Sequence, residues 1–246
     1  MLKSILKRTI VTSLLVLTSS IVSFNLQAKD NSLSPEQKLI QLIINTKSPD
    51  VLLYSPDKPF TLKSGKISPI FVNMGNITSG ESISGLGDIY ADAIVNSNLK
   101  FDVIFGSAYK GIPLSVTAAR SLYEKYGQSY LYAFNRKEAK DHGEGGTIIG
   151  ADIKGKRVLI VDDVITSGTA TKESMELITK AGGTPVGLVV SVDRREEKTP
   201  LPGKLPVVGI TTLDNILKAR QKLSIAETKT AEVIVALDVE NMQQAD

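Results

Sequence analysis

Apolar and polar positions alternate along this chain with two different periods, and the switches between them mark out its elements. From Pro35 to Lys47 apolar residues recur at 39, 40, 42, 43 and 44. Ser34-Pro35 precedes them, so the pattern predicts a helix opened by a capping hydroxyl and a first-turn proline. Phe60-Thr61-Leu62-Lys63 and Pro69-Ile70-Phe71-Val72-Asn73 are short strand-like runs separated by Ser64-Gly65-Lys66, which predicts a hairpin or an arch. Ile83 to Val95 places Leu86, Ile89, Ala93 and Ile94 on one side of a helix.

A strand–helix alternation follows. Phe101–Phe105, Leu131–Phe134, Arg157–Val161, Val186–Val192 and Val207–Ile210 read as strands, the third ending in two aspartates. Gly111–Tyr126, Thr169–Lys180 and Leu213–Leu223 read as helices, with another expected near the C-terminus. Residues 135–150 read as one long Gly-rich polar loop. Continuous apolar strands alternating with helices predict an α/β fold, a parallel sheet covered on both faces. Ligands in such sheets bind beyond the carboxyl ends of the strands.

Composition narrows the chemistry. The 246 residues are 42% hydrophobic, enough for one α/β domain with a small appendage. Cysteine is absent, which removes disulfides, thiol nucleophiles and zinc ribbons. The single histidine, His142, excludes paired-histidine metal sites. A metal, if used, would be a hard cation held by carboxylates and substrate oxygens. Residues 1–28 carry Lys3, Lys7 and Arg8 and no acid, so they account for the whole formal net charge of +3. The remainder is balanced, which gives no support to a nucleic-acid-binding surface. This basic start, an apolar stretch from Ile10 to Val22 and Ala28 before a polar segment read as a secretory signal peptide. An uncleaved anchor, an organellar presequence and an unused upstream extension are the alternatives. The apolar stretch is short and interrupted by Ser and Thr, so no stable membrane association of the mature domain is expected.

The strongest chemical signal is the run from Val158 to Ala170. Four apolar residues lead to Asp162-Asp163, and Val164-Ile165 then leads into Thr166-Ser167-Gly168-Thr169 at the start of a helix. That turn offers hydroxyls, backbone N–H groups and the positive end of a helix dipole, which suit a phosphate monoester. The two acids could hold sugar hydroxyls, directly or through hydrated Mg²⁺. A helix cap needs one hydroxyl rather than three, and adjacent acids after a buried strand repel one another. In 135–150, Arg136, Lys137, Lys140 and His142 gather four cationic or potentially cationic groups near Gly143, Gly145 and Gly146. A mobile basic lid suits a leaving group whose negative charge grows in the transition state. Gly106-Ser107-Ala108-Tyr109-Lys110-Gly111, at another strand end, would let a phosphate approach the backbone closely.

The 158–170 run resembles the phosphoribosyl-pyrophosphate (PRPP) signature of type I phosphoribosyltransferases. Phe60-Thr61-Leu62-Lys63-Ser64-Gly65-Lys66-Ile67-Ser68-Pro69 is similar to the substrate-binding segment of the orotate phosphoribosyltransferases. Phe134-Asn135-Arg136-Lys137-Glu138-Ala139-Lys140-Asp141-His142-Gly143-Glu144-Gly145-Gly146 resembles their catalytic loop. The resemblance covers about residues 35–195 and is much weaker beyond Arg194.

It implies the type I fold, a twisted parallel sheet flanked by helices, with the phosphoribosyltransferase domain over 29–246. Its core would occupy about 80–195, and a small hood would come from about 29–75 and the C-terminal region. The implied reaction is orotate + PRPP ⇌ orotidine 5′-monophosphate + pyrophosphate, in pyrimidine (UMP) biosynthesis. Mg²⁺ would be held mainly through PRPP, with no dedicated protein ligands. The resemblance assigns PRPP to Tyr109, Lys110, Arg136, Lys137, Lys140, His142 and the run Asp162, Asp163, Val164, Ile165, Thr166, Ser167, Gly168, Thr169 and Ala170. Within that set, Arg136, Lys137, Lys140, His142, Asp162 and Asp163 would carry catalysis. Orotate falls to Lys63, Phe71, Val72, Thr166 and Arg194, and a homodimer with shared active sites is implied. The competing readings are a type I enzyme for another base and a non-catalytic PRPP-sensing regulator. Lys63 and Arg194 favour an acidic base over the first, and the intact basic loop argues against the second. Such chemistry implies a cytoplasmic enzyme, whereas the N-terminus implies export.

Every ligand group named above lies between 63 and 194, so residues 1–28 should be dispensable for catalysis. A protein beginning at Lys29 is expected to fold and to keep its activity. Mass spectrometry of the exported fraction of host cells should find a terminus near Lys29. An inactive shortened protein would place the segment in the fold.

Overall fold

The computed structural model describes residues 33–47, 49–62, 65, 67–140, 146–195 and 200–226, the side chains of 138–140 and 146 apart. The proposed signal segment and the expected last helix lie outside these residues. Among the described residues, no helix is long and apolar enough to cross a membrane.

Helix α1 (Pro35–Asn45) opens with a reciprocal cap: Ser34 Oγ accepts from the Gln37 amide (3.2 Å), and Gln37 Oε1 accepts from the Ser34 amide (2.9 Å). Its Leu39 and Ile43 are buried with residues of α2 (Gly80–Ser97). Four short strands lie between these helices, β1 (Leu52–Tyr54), β2 (Phe60–Thr61), β3 (Ile67–Ser68) and β4 (Ile70–Val72). The two runs expected to form one hairpin take different partners. β2 pairs antiparallel with β3, and β4 with β1, a three-residue strand too short to leave a periodic signal.

The main sheet contains β5 (Val103–Gly106), β6 (Leu131–Lys140), β7 (Gly146–Gly150), β8 (Arg157–Ile165), β9 (Thr184–Asp193) and β10 (Val207–Thr212). Their order across it is β10-β9-β8-β5-β6-β7, all parallel except the antiparallel edge strand β7. Helices α3 (Gly111–Tyr126), α4 (Thr169–Lys180) and α5 (213–226) complete the chain as described. The period of two in β8 divides the core. Leu159 and Val161 face a cluster with α1, α2 and α3, while Val158 and Ile160 face Ile178 of α4, Leu201 and Leu205.

Polar contacts tie the helical face together. Asp92 of α2 accepts from Lys38 of α1 (3.3 Å) and from Lys125 and Tyr126 of α3, the phenol at 2.7 Å. Burial pushes the Asp92 carboxyl up, but these donors outweigh it and hold it below the usual carboxylate range. Glu36 of α1 accepts from Thr211 Oγ1 (3.0 Å) and Asn215 Nδ2 (2.6 Å), joining the first helix to β10 and α5.

Two expectations change here. Strand β8 does not stop at Val161: it stays paired with β9 to Ile165, so Asp162 and Asp163 are strand residues. The region 135–150 is not one long loop, because β6 runs to Lys140 and β7 returns antiparallel from Gly146, with a register shift between Asn135 and Lys140. Residues 141–145 lie outside the described set.

Gly106 has a structural reason rather than a ligand-facing one. A Cβ there would sit 2.1 Å from the Gly111 carbonyl oxygen, where the end of β5 meets the start of α3. Gly106→Ala is therefore expected to destabilise the protein by about 3 kcal/mol, since backbone rather than a side chain would have to yield. Urea unfolding monitored by circular dichroism measures this; a loss below about 1 kcal/mol would contradict the packing described.

Candidate active site

The carboxyl ends of β5, β8 and β9 and the loops after them enclose a cavity of about 430 Å³. It is lined by Leu62, Phe71 and Val72, by Ser107 to Lys110, by Lys137, by Asp162 to Thr171 and by Arg194. Segments far apart in sequence are thus brought to one cleft, at the edge where the parallel sheet predicts a ligand.

The acid pair is stabilised from several directions. Asp163 Oδ2 lies 2.8 Å from Lys110 Nζ, so the loop after β5 supplies the cation that adjacent carboxylates require. Asp162 Oδ1 accepts from the Asp163 amide and Asp163 Oδ1 from the Val164 amide, each at 2.9 Å. Beneath them Tyr90 of α2, fully buried, donates to the Asp162 carbonyl oxygen at 2.7 Å and lies 2.8 Å from Ser191 Oγ. Burial, with the negative charge of Asp163 and Asp162, drives the Tyr90 phenol far above its ordinary pKa and keeps it a neutral donor.

Beyond the acids the chain turns into α4. Gly168 caps that helix at φ +77°, a left-handed conformation that suits glycine. A Cβ there would also meet Leu201 Cδ2 at 2.6 Å. Ser167 Oγ and Thr169 Oγ1 stand 3.0 Å apart on the exposed side of the turn. The first turn of a helix leaves amides without intrahelical partners, and its dipole favours an anion. Hydroxyls, amides and dipole therefore meet at one point, suited to a terminal phosphate.

The 107–110 loop is fixed from two sides. The Ala108 amide donates to Asn135 Oδ1 of β6 at 2.8 Å. Ser107 Oγ lies 2.8 Å from Ser174 Oγ of α4, which donates to the Ala170 carbonyl. The Ala108–Tyr109 peptide is cis. Lys137 Nζ sits 4.8 Å from the centre of the exposed Tyr109 ring, a cation–π distance. Phe71 lines the cavity beside Val72 and is backed by Phe60 of β2, with ring centres 5.5 Å apart. Arg194, half-buried, follows the end of β9. Its amide donates to the Ile165 carbonyl (2.9 Å) and its Nη2 to Ser68 Oγ (3.4 Å). Burial pulls its guanidinium pKa down from the usual value.

Most of the residues expected from sequence meet in this cavity: Phe71, Val72, Tyr109, Lys110, Lys137, the run Asp162–Ala170 and Arg194. Arg136 is outside its lining, with Nη1 buried and no hydrogen-bond partner in the described structure. Lys63, His142 and the Lys140 side chain lie outside the described residues. Sequence reasoning missed Tyr90, a lone tyrosine on an apolar helix side. It also missed the role of Asn135, which sits inside the basic loop motif but carries no charge to draw attention. Among the described residues no group of three or more His, Cys, Asp or Glu is gathered to hold a metal. The cleft offers two carboxylates, one already facing Lys110, so a divalent cation here would need oxygens from the substrate.

Comparison with known proteins agrees with this geometry. The family model described as phosphoribosyl transferase domain matches residues 74–220. The orotate phosphoribosyltransferase of Stenotrophomonas maltophilia (strain K279a) is 51% identical over 169 residues, covering 64% of this chain and 77% of that protein. The Schizosaccharomyces pombe protein of the same name is 45% identical over 185 residues, covering 70% and 86%. Among solved structures, orotate phosphoribosyltransferase of Francisella tularensis superposes with a TM-score of 0.60 at 35% identity, covering 74% of this chain and 86% of that one.

The Lys110–Asp163 contact makes a separable prediction. Lys110→Met leaves Asp163, whose side chain is only 13% exposed, without its cation, so stability should fall by about 1–3 kcal/mol. An incoming polyphosphate would lose a charged donor, and inorganic pyrophosphate should bind more weakly by roughly 1.5–3 kcal/mol. Calorimetric titration beside urea unfolding checks both; unchanged pyrophosphate affinity would remove Lys110 from the anion site.

Proposed function

This chain belongs to the orotate phosphoribosyltransferases, within the phosphoribosyltransferase family, and from that premise we propose how its cleft divides the work of the reaction. The reaction joins orotate to the ribose of PRPP and releases pyrophosphate, a step of pyrimidine biosynthesis. One observation carries the assignment of roles: the separate motifs containing Phe71, Tyr109-Lys110, Lys137, Asp162–Ala170 and Arg194 line one cavity.

The 5′-phosphate of PRPP belongs in the turn from Thr166 to Ala170, on the α4 amides and hydroxyls. Asp162 and Asp163 then face the ribose, where their charge favours a ring acquiring oxocarbenium character as its bond to pyrophosphate breaks. Tyr109, Lys110 and Lys137 face the pyrophosphate, and Arg136, Lys140 and His142 complete the basic lid that neutralises it on departure. When bound, Mg²⁺ supplies further charge neutralisation. It would be held mainly by pyrophosphate and ribose oxygens, with the two aspartates reaching it through water. Orotate lies between Phe71 and Val72 on one side and Thr166 on another. Arg194 faces its carboxylate in a planar two-point match, and Lys63 adds a second cation. The enzyme acts as a homodimer in which the basic arm of one subunit serves its neighbour's site. Rate enhancement comes from positioning and charge rather than from a covalent intermediate.

Orotate consumption in the presence of PRPP and Mg²⁺, followed by absorbance, tests the whole reading. Lys140→Ala and His142→Ala should each lower kcat by about 10²-fold, the size expected when one preorganised charge or proton donor is lost. The KM for PRPP should move less, because the phosphate turn remains. Unchanged kcat with a raised KM would contradict the lid's role. In mixed dimers, a Lys140→Ala subunit and an Asp163→Asn subunit should together recover part of the activity; none recovered in verified heterodimers would contradict shared sites.

A further inference from the structure

Immediately beside Arg194 lies an ion pair that no step of the reaction uses. Asp193 and Arg195 flank it and face each other. Arg195 donates from its backbone amide and from Nε to Asp193 Oδ1, both at 3.0 Å, and from Nη2 to Asp193 Oδ2 at 2.7 Å. Their side chains are only 11% and 9% exposed. A two-pronged guanidinium–carboxylate fork has fixed planar geometry, and here it closes over a span of two residues.

We propose that Asp193 and Arg195 are positioning residues for base selection, a clamp that holds Arg194 toward the orotate carboxylate. Strand β9 ends at Asp193, and the bond from the Arg195 amide back to Asp193 Oδ1 makes an Asx turn whose central residue is Arg194. Parallel pairing with β8 reaches Asp193, opposite Ile165, and the Arg194 amide continues it by donating to the Ile165 carbonyl. Turn and fork together fix the chain on both sides of Arg194, whose side chain lines the cavity while those of Asp193 and Arg195 do not. The Arg194 amide bond and the 3.4 Å contact with Ser68 act on the same residue, but neither fixes the plane of its guanidinium. A two-point match between planar groups demands orientation within roughly 10–20°. The same buried pair is a poor stabiliser, because desolvation of the two ions offsets much of their attraction. Its geometric effect is therefore the more informative one.

The inference rests on Arg194 reading the base, so Arg194→Ala is measured alongside. Steady-state kinetics of Arg195→Met, which keeps the apolar stem and removes the fork, should show the orotate KM raised roughly tenfold. The PRPP KM should stay within about twofold, with kcat at saturating orotate close to that of the unaltered enzyme. Asp193→Asn, which preserves shape and one acceptor, should give a smaller rise of the same selectivity; it carries the test if Arg195→Met does not fold. Parallel rises in both KM values, or an unchanged orotate KM in a folded variant, would overturn the clamp. If Arg194→Ala itself leaves the orotate KM unchanged, the reading of Arg194 fails and the clamp falls with it. If Arg194→Ala is selective for orotate while Arg195→Met is not, the clamp alone is refuted.

Discussion

Two carboxylates at adjacent positions of a central strand repel each other, and much of the cleft is organised to tolerate them. Asp162 and Asp163 are held by neighbouring backbone amides, Asp163 also by the Lys110 ammonium, and the Asp162 carbonyl is anchored by a buried phenol. The two amides belong to β8 itself, whereas the ammonium and the phenol reach it from other elements, because β8 lies inside the sheet with β5 and β9 on its two sides. The loop after β5 delivers Lys110, and β9 brings Ser191 to Tyr90. An edge strand would have had a neighbour on one side only. The central position of β8 thus comes first, and the acid pair is affordable because of it.

Charges of both signs line the cavity. Its lining combines the acid pair, the cations Lys110 and Lys137, the N-terminus of α4, the Phe71 ring and Arg194. On the proposed reading, such a lining would orient a substrate that carries phosphate at both ends and a sugar between them, with no covalent bond to a side chain. Preorganised charges of this kind act without reorganising during the reaction, which is where most of their catalytic value lies.

Local order made part of this legible in sequence. The 158–170 run encodes a strand, two acids and a hydroxyl-rich turn within thirteen consecutive residues, so its place at the cleft could be read before any fold was known. The central helices and apolar strands were equally plain, because their periods extend over many residues. What escaped depended on distant partners. β1 has three residues and exists only because β4 lies beside it; β2 chose β3 instead. β7 begins and ends in glycine and reads as loop until β6 offers it a ladder. Tyr90 looks like an ordinary core aromatic until α2 packs against the ends of β8 and β9. The Asp193–Arg195 fork reads as two charges in a run of polar residues, since its meaning lies in burial that sequence does not display.

The basic arm shows how a sheet can control groups that project beyond it. Parallel pairing of β6 with β5 ends at Phe134, opposite Gly106, and the next residue, Asn135, accepts from the Ala108 amide. From that point the recorded strand pairing of β6 is with β7 alone. Arg136 and Lys137 therefore begin immediately after the last residue tied to the core. Lys137 enters this chain's own cavity against Tyr109, whereas Arg136 lies outside its lining with Nη1 unpaired in the described structure. An arm built as a strand rather than a coil thus separates its first two cations at its root. That separation falls in the stretch after Asn135 where the pairing of β6 with β7 shifts register, just past the last pair with β5.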